Sequence, residues 1–413
     1  MSANYEITIK SARTRFSPNL MDIGIKDGKI AAIGEKLKGS GEIEIDARQM
    51  LVTESFVNPH LHLCKVYTLA MMDEEALKDY HGADMGKAMT AIELAGRVKE
   101  NYDETWIIKN VRKAVAQAAL YGCTHMRAFA DVDPKARLEG IKALIKAREE
   151  FKNIVEIQTV AFAQDGIVRE PGAKDLMRQA MQLGADVAGG IPWIEFTDTD
   201  ISEHVRFVFD LAVEFNKDVS MLVDDAGDAG LRSLEVMALE TIKRGWQGRS
   251  LAHHARAMAL YPKPYLQKVS FLLKKASMGL VTDPHTGPLH MRVREMLEEG
   301  NLVCLGQDDI SDAYYPFGRN NMLEVAFLAS HLLWFTSAND IETLYDLVTV
   351  RAAECIGLKE YGLQVGKVAN LVILQHPDVI EALRFHDAPE YVISHGKLVD
   401  REKMRKLAFP EMG

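Results

Sequence analysis

The 413-residue sequence predicts an α/β fold: a (β/α)8 barrel of the TIM type carrying a small β-sandwich built from both chain termini. Three observations predict it. Short alternating strands stand at both ends of the chain. Between them, eight apolar runs alternate with helix-like segments. Polar residues follow one apolar run after another, and only a closed barrel gathers such ends at one rim.

The N-terminal unit begins with the alternating run Tyr5–Lys10, followed by Met21–Ile25. Asp27-Gly28 signals a hairpin turn before Lys29–Gly34, and Glu42–Ala47 closes the unit. At the other end Asn370–Leu374, Tyr391–Ser394 and Lys397–Val399 look similar. Residues 1–54 and 358–413 therefore read as two parts of one sandwich, since chain ends are often close. Residues 55–357 read as the barrel. Its apolar runs end near His62, near Arg127, at Gln164, near Gly189, at Asp225, at His254, at His285 and at Asp309. Helical periodicity covers 104–120, 135–151, 173–183, 202–216, 231–244 and 289–299, with 320–333 and 341–356 after the eighth strand. An open doubly wound sheet fits the alternation as well, but it would not unite the polar ends of strands 1, 3, 5, 6, 7 and 8. The acidic run Asp73-Glu74-Glu75 reads as a solvated helix start.

Composition narrows the function. Hydrophobic content of 47% and charged content of 26% are ordinary for a soluble enzyme. A net charge of -10 without a basic patch argues against nucleic acid or an anionic membrane as partner. No apolar run reaches the ~20 residues of a membrane span. The first residues lack a basic head and apolar stretch, so no secretory signal is visible. Cys64, Cys123, Cys304 and Cys355 form no CxxC pair and read as reduced thiols, which implies a cytoplasmic protein. A homo-oligomer is compatible with all of this.

Chemistry centres on Pro59-His60-Leu61-His62. Imidazoles two apart on a strand point to one side and can grip one divalent cation. Four more clusters end apolar runs: Gln164-Asp165, Asp224-Asp225, His253-His254 and Gln307-Asp308-Asp309. Buried carboxylates and imidazoles are costly unless paired or bound to metal, so their recurrence points to one shared polar site. Metal-assisted hydrolysis suits this set. A cation lowers the pKa of bound water to ~7, and the resulting hydroxide attacks. His60, His62 and Asp308 suit ligation, Asp225 suits proton transfer, and His254 suits polarising the group under attack. His285 is a candidate pocket residue on a loop over the barrel mouth. His253 reads as a bystander, because adjacent strand residues face opposite ways. Cys64 and Lys65 stand between a contact to substrate or metal and, for the cysteine, a core filler.

These motifs, with Val160-Ala161-Phe162-Ala163-Gln164-Asp165-Gly166-Ile167, Ala252-His253-His254-Ala255, Tyr315-Pro316-Phe317-Gly318 and Ala369–Leu374, resemble the amidohydrolase superfamily. The likeness is to its cytosine deaminase and N-isopropylammelide amidohydrolase branch, over nearly the whole chain. The resemblance implies one Zn2+ or Fe2+ and hydrolysis of a C–N bond on a nitrogen heterocycle such as a pyrimidine, pterin or triazine, most simply deamination. It implies that Asp308 is both ligand and general base, that Asp225 is the acid/base carboxylate, and that His254 contacts the water or the attacked centre. Gln164, Asp309 and Tyr314 would face the substrate. Ring-amide hydrolysis by the same machinery is the neighbouring alternative.

Two positions depart from that family. A third metal histidine is usual three residues before the acid/base carboxylate, and this chain has Leu222 there. An acidic residue often follows the His-x-His-x unit, and this chain has Cys64 there. Leucine cannot ligate. Either His254 or a nearby carboxylate completes the shell, with Asp224 or Asp225 reaching it after a small register shift, or the site binds metal weakly or has lost it. The last case would make the chain a metal-free, non-catalytic binding protein.

Overall fold

A computed structural model describes residues 4–72 and 95–410. The run Asp73-Glu74-Glu75 lies outside the described residues. Four strands open the chain: β1 (Tyr5–Thr14), β2 (Ser17–Lys26), β3 (Lys29–Gly34) and β4 (Gly41–Asp46), in the spatial order β3-β2-β1-β4. Alternation puts Ile7, Ile9, Ile23, Ile25 and Ile45 into one buried cluster. The short strand β5 (Val52–Glu54) then leaves this sheet for another.

Eight parallel strands follow, each hydrogen-bonded to its sequence neighbour. They are β6 (Phe56–Leu61), β7 (Cys123–Asp131), β8 (Glu156–Phe162), β9 (Val187–Gly190), β10 (Asp218–Val223), β11 (Ser250–His254), β12 (Gly279–Thr282) and β13 (Val303–Leu305). A parallel bridge between Leu61 and Asp308 joins the last strand to the first and closes the barrel. His62 N donates to Asp308 O at 2.8 Å, and Asp308 N donates to His60 O at 2.9 Å. The closing hydrogen bonds thus run between the residues expected to carry the chemistry.

Helices α1 (Glu104–Leu120), α2 (Glu139–Phe151), α3 (Ala173–Gln182), α4 (Asp198–Phe215), α5 (Ser233–Lys243), α6 (Lys263–Ala276) and α7 (Val293–Glu298) separate the strands. Each periodic segment read from the sequence holds one, with boundaries moved by capping. Thr197 accepts from Asp200 N, so α4 starts before 202. Asp133 accepts from Lys135 N and Ala136 N, which makes a turn of the stretch before α2. After β13 come α8 (Met322–Leu332), α9 (Ala338–Leu347) and α10 (Val350–Cys355). The single helix expected over 341–356 is thus two, because Val348 O accepts from Val57 N of β6 at 3.0 Å instead of continuing a helix.

The chain returns through β14 (Leu371–Ile373), β15 (Tyr391–Ser394) and β16 (Lys397–Leu398). β5 pairs antiparallel with β14, Val52 opposite Ile373 and Glu54 opposite Leu371. Leu371, Ile373 and Ile393 share one core with Ile9, Ile23 and Val52. Each terminal sheet has a face that it can bury only against the other, which is why the two ends of the chain meet. Among the described residues, no helix is long and apolar enough to cross a membrane.

Candidate metal centre

β6 begins in the apolar run that ends at Val57, and the residues after that run reach the barrel mouth. Alternation sends His60 and His62 to the same side, with ring centroids 5.1 Å apart. The close approach of β13 needs Gly306, where a Cβ would lie 2.7 Å from that of His60. Asp308 follows in left-handed conformation, φ 66°. Its Oδ1 lies 2.9 Å from His60 Nε2, 3.7 Å from His62 Nε2 and 3.9 Å from His254 Nε2. Thr286 Oγ1 donates to the other carboxylate oxygen at 2.8 Å. One donor atom from each of His60, His62, His254 and Asp308 falls within 4.8 Å of the others, and all four residues are buried.

The pair His253 and His254 corrects the sequence reading. Both rings touch His60, with centroids at 4.6 Å and 5.0 Å. His253 is no bystander: its Nδ1 is 2.6 Å from His60 Nδ1. The expected alternation fails because β11 ends in left-handed backbone at His254 (φ 67°) and Ala255 (φ 48°). Asp283, just past β12, was not singled out by the sequence. Its Oδ1 lies 2.9 Å from His254 Nδ1, leaving Nε2 to face the cluster. The signal was present in Thr282-Asp283-Pro284, but nothing local tells which polar residue of a loop turns inward. Both contacts are of the kind that fix the tautomer and ring orientation of a metal-binding histidine.

Asp225 lies beside the cluster, its Oδ2 3.9 Å from His254 Nε2 and its Oδ1 2.6 Å from Arg256 Nε. Asp224 does not reach it. Its carboxylate accepts from Ser233 N at 2.8 Å and from Tyr261 OH at 3.2 Å, capping α5. Leu222 is buried in an apolar group with Phe129 and Phe162, whose rings pack against the rings of His60 and His62. The place of the usual histidine is therefore filled by hydrocarbon, and the third imidazole near Asp308 comes from β11. Cys64 is a packing thiol. Its Sγ accepts from Asp131 N at 3.3 Å, and burial raises its pKa far above the ordinary value.

The remaining expected residues lie on the same rim. Lys65 Nζ donates to Gln164 Oε1 at 3.2 Å, sits 4.2 Å above the Tyr314 ring and is 4.0 Å from Asp309 Oδ1. The structure thus brings together Gln164, Asp309 and Tyr314, with Lys65 between them. His285 stands apart from this group, its Nε2 3.2 Å from Gln307 O and its ring against Tyr315.

For the side chains alone, electrostatics divides the cluster. Burial, with Lys65 and His60 nearby, pushes His62 well below its ordinary pKa, so it is a neutral donor. Burial opposes ionisation of Asp308, yet His254, His60 and His62 hold it well below the usual carboxylate range. Burial would lower His254 too, but Asp225, Asp283 and Asp308 outweigh it and raise it to about 9. Burial raises Asp225, against the pull of His254 and Arg256. Neutral His62, ionised Asp308 and the close spacing of the four residues fit a transition-metal cation such as zinc or iron(II), whose binding would displace the proton of His254.

Comparison with known proteins agrees with this geometry. Residues 44–400 match the amidohydrolase family. N-isopropylammelide isopropyl amidohydrolase of Pseudomonas sp. (strain ADP) is 29% identical over 406 residues, covering 98% of this chain and 99% of that protein. Pterin deaminase of Rhizobium rhizogenes is 24% identical over 402 residues, 92% of this chain and 88% of that protein. The crystal structure of 5-methylcytosine deaminase from Klebsiella pneumoniae, liganded with 5-fluorocytosine, superposes with a TM-score of 0.87 at 29% identity, covering 95% of this chain and 97% of that one. The chain belongs to the amidohydrolase family, hydrolases of carbon–nitrogen bonds, in the branch that includes N-isopropylammelide amidohydrolase and 5-methylcytosine deaminase.

Proposed function

We propose that this protein deaminates a nitrogen heterocycle of the pyrimidine, pterin or triazine class, replacing the bond from a ring carbon to its exocyclic nitrogen by C–O with release of ammonia or an amine. The observation that carries the reading is the meeting of His60, His62, His254 and Asp308 within 4.8 Å at the carboxyl ends of the barrel strands. These four side chains would hold one zinc or iron(II) ion, which supplies Lewis acidity and lets water act as a nucleophile at neutral pH.

The chain's own groups handle protons and orientation. Asp308 and Asp225 receive the proton of the attacking water, and Asp225 passes it to the departing nitrogen. Its raised pKa suits both halves of that transfer. His254, kept in one orientation by Asp283, turns its Nε2 toward His60, His62 and Asp308 and would complete the ligand set. Gln164, Asp309, Tyr314 and His285 bind the ring. The names of the relatives support heterocyclic substrates for this chain. Hydrolysis of a ring amide by the same groups is the neighbouring reaction.

One observation favours a second reading, a metal-free binding protein: Leu222 sits in hydrocarbon at the usual ligand position. Metal analysis of protein purified without chelator separates the two, together with ammonia detection over a panel of aminopyrimidines, pterins and aminotriazines. About one transition-metal ion per chain with ammonia release supports the enzyme. Absence of both supports the binding protein.

A further inference from the structure

Arg256 opens the 3-10 turn Arg256–Leu260 that follows β11, a turn tied to the end of β10 by Ala257 N donating to Asp224 O at 3.0 Å. Its side chain is 5% exposed. A buried guanidinium is costly without partners. Its partners here are the carboxylates around the cluster. Nε lies 2.6 Å from Asp225 Oδ1, while the other oxygen, Oδ2, is the one 3.9 Å from His254 Nε2. Nη2 donates to Asp283 Oδ1 at 3.2 Å and to Thr286 Oγ1 at 2.8 Å, and Thr286 in turn donates to Asp308 Oδ2. One planar fork thus meets Asp225 at one nitrogen and the supports of His254 and Asp308 at another, which fixes its plane.

Where β10 would supply a ligand it carries Leu222, so the cluster is made of His60, His62, His254 and Asp308. Asp225, just beyond that strand, brings a carboxylate within 3.9 Å of one of these imidazoles. An unrestrained carboxylate at that range would bind zinc or iron(II) as readily as it would take a proton. Asp308 is already committed to the cluster. A second carboxylate drawn in would leave none free to carry the proton to the departing nitrogen. Resting on the deaminase reading, we propose that Arg256 is a positioning residue: it holds Asp225 outside the ligand shell of the metal and so reserves that carboxylate for proton transfer. The ion pair fixes Oδ1 and leaves Oδ2 turned toward the cluster. A lysine in the same place offers a point charge without the fork and would hold the carboxylate less firmly.

The test uses the full chain, stripped of metal and reloaded with zinc or cobalt(II). Cobalt(II) absorbs visible light more weakly as its coordination number rises, so its spectrum reads the ligand shell without turnover. Arg256→Met should bind zinc about tenfold more tightly in competition with a chromophoric chelator. Its cobalt(II) form should absorb more weakly than wild type, as another ligand joins. Arg256→Met with Asp225→Ala should regain the spectrum of wild type, which separates ligation by Asp225 from the loss of a nearby positive charge. On a panel amine that wild type hydrolyses, Arg256→Met should lower kcat by roughly 10²-fold with KM within about threefold. Arg256→Lys should show the same changes at smaller size, which covers the case where Arg256→Met does not fold. An unchanged spectrum in Arg256→Met, or in Arg256→Lys where only that variant folds, overturns the proposal, as does a change that persists without Asp225. A wild type that binds neither metal overturns it together with the metal centre. An Asp225-dependent spectral change without ammonia or amine release from any panel member would sink the deaminase reading alone. Turnover by wild type with the spectrum unchanged in Arg256→Met would sink this inference alone.

Discussion

Replacing His253 by leucine removes a group that touches no expected substrate atom, yet it should weaken metal binding. The imidazole lies 2.6 Å from His60 Nδ1, and both residues are fully buried. Leucine leaves His60 Nδ1 without its partner and without access to solvent. An orphaned buried polar group costs about 1–3 kcal/mol. Part of that falls on folding and part on the orientation of His60 Nε2, the atom 2.9 Å from Asp308. Loss of such an orienting contact typically lowers metal affinity 10–100-fold, or about 1.4–2.7 kcal/mol. Competition of the apoprotein with a chromophoric zinc chelator reads the affinity, and urea unfolding at pH 7 reads the fold. His253→Asn, which keeps a polar group near Nδ1, should fall between wild type and leucine. Zinc affinity within threefold of wild type in a folded His253→Leu protein would refute the reasoning. His60 would then be oriented by its packing against Phe129.

Four other outcomes are expected. His60→Ala should lose metal and activity together, and normal turnover in that variant would end the metal-centre idea. Asp225→Asn should keep metal within a few fold but lower kcat by roughly 10²–10⁴, the usual worth of a positioned acid/base group; full activity would remove Asp225 from the mechanism. Leu222→His should change metal affinity less than about tenfold, because His254 already lies in the cluster; a gain of a hundredfold or more would show that the third imidazole does not ligate. Glu195 accepts from Ile167 N, Val168 N and Arg169 N and lies 2.7 Å from His204 Nδ1. Against the opposing effect of burial, these contacts lower its pKa from 4.5 to about 2. A lowered carboxylate stabilises the fold fully above pH 4.5, and that contribution, about 2–3 kcal/mol, fades as pH falls toward 2. Glu195→Gln should therefore lose stability at pH 7 and show a shallower decline between pH 5 and 3; parallel curves in urea titrations would contradict this.

Much of the fold was legible because its driving force is local. Eight apolar runs and their spacing announce a barrel, since a strand buried on both faces has few other ways to read. Both terminal sheets announce themselves by alternation. The first two imidazoles were equally legible, because two residues apart on a strand is a geometric statement. Asp308 and Asp225 stand at strand ends, where a barrel displays its chemistry.

Other features depend on contacts that no stretch of chain contains. The inward turn of both His253 and His254 comes from left-handed backbone at the end of β11, where Ala255 N donates to Val223 O of the adjacent strand. Asp283 became a partner of His254 only because β11 and β12 lie side by side. The missing ligand at Leu222 looked like a gap when the chain was read in line. In the closed barrel an imidazole from the neighbouring strand stands close to Asp308. Residues 65, 164, 309 and 314, far apart in the chain, meet at one rim. The sequence by itself determined which residues are apolar, where strands end and which side chains can bind a cation. Only the tertiary structure decided which of those ends face one another, because barrel closure is a long-range pairing and the direction of a side chain past a strand's end depends on the backbone of its neighbour.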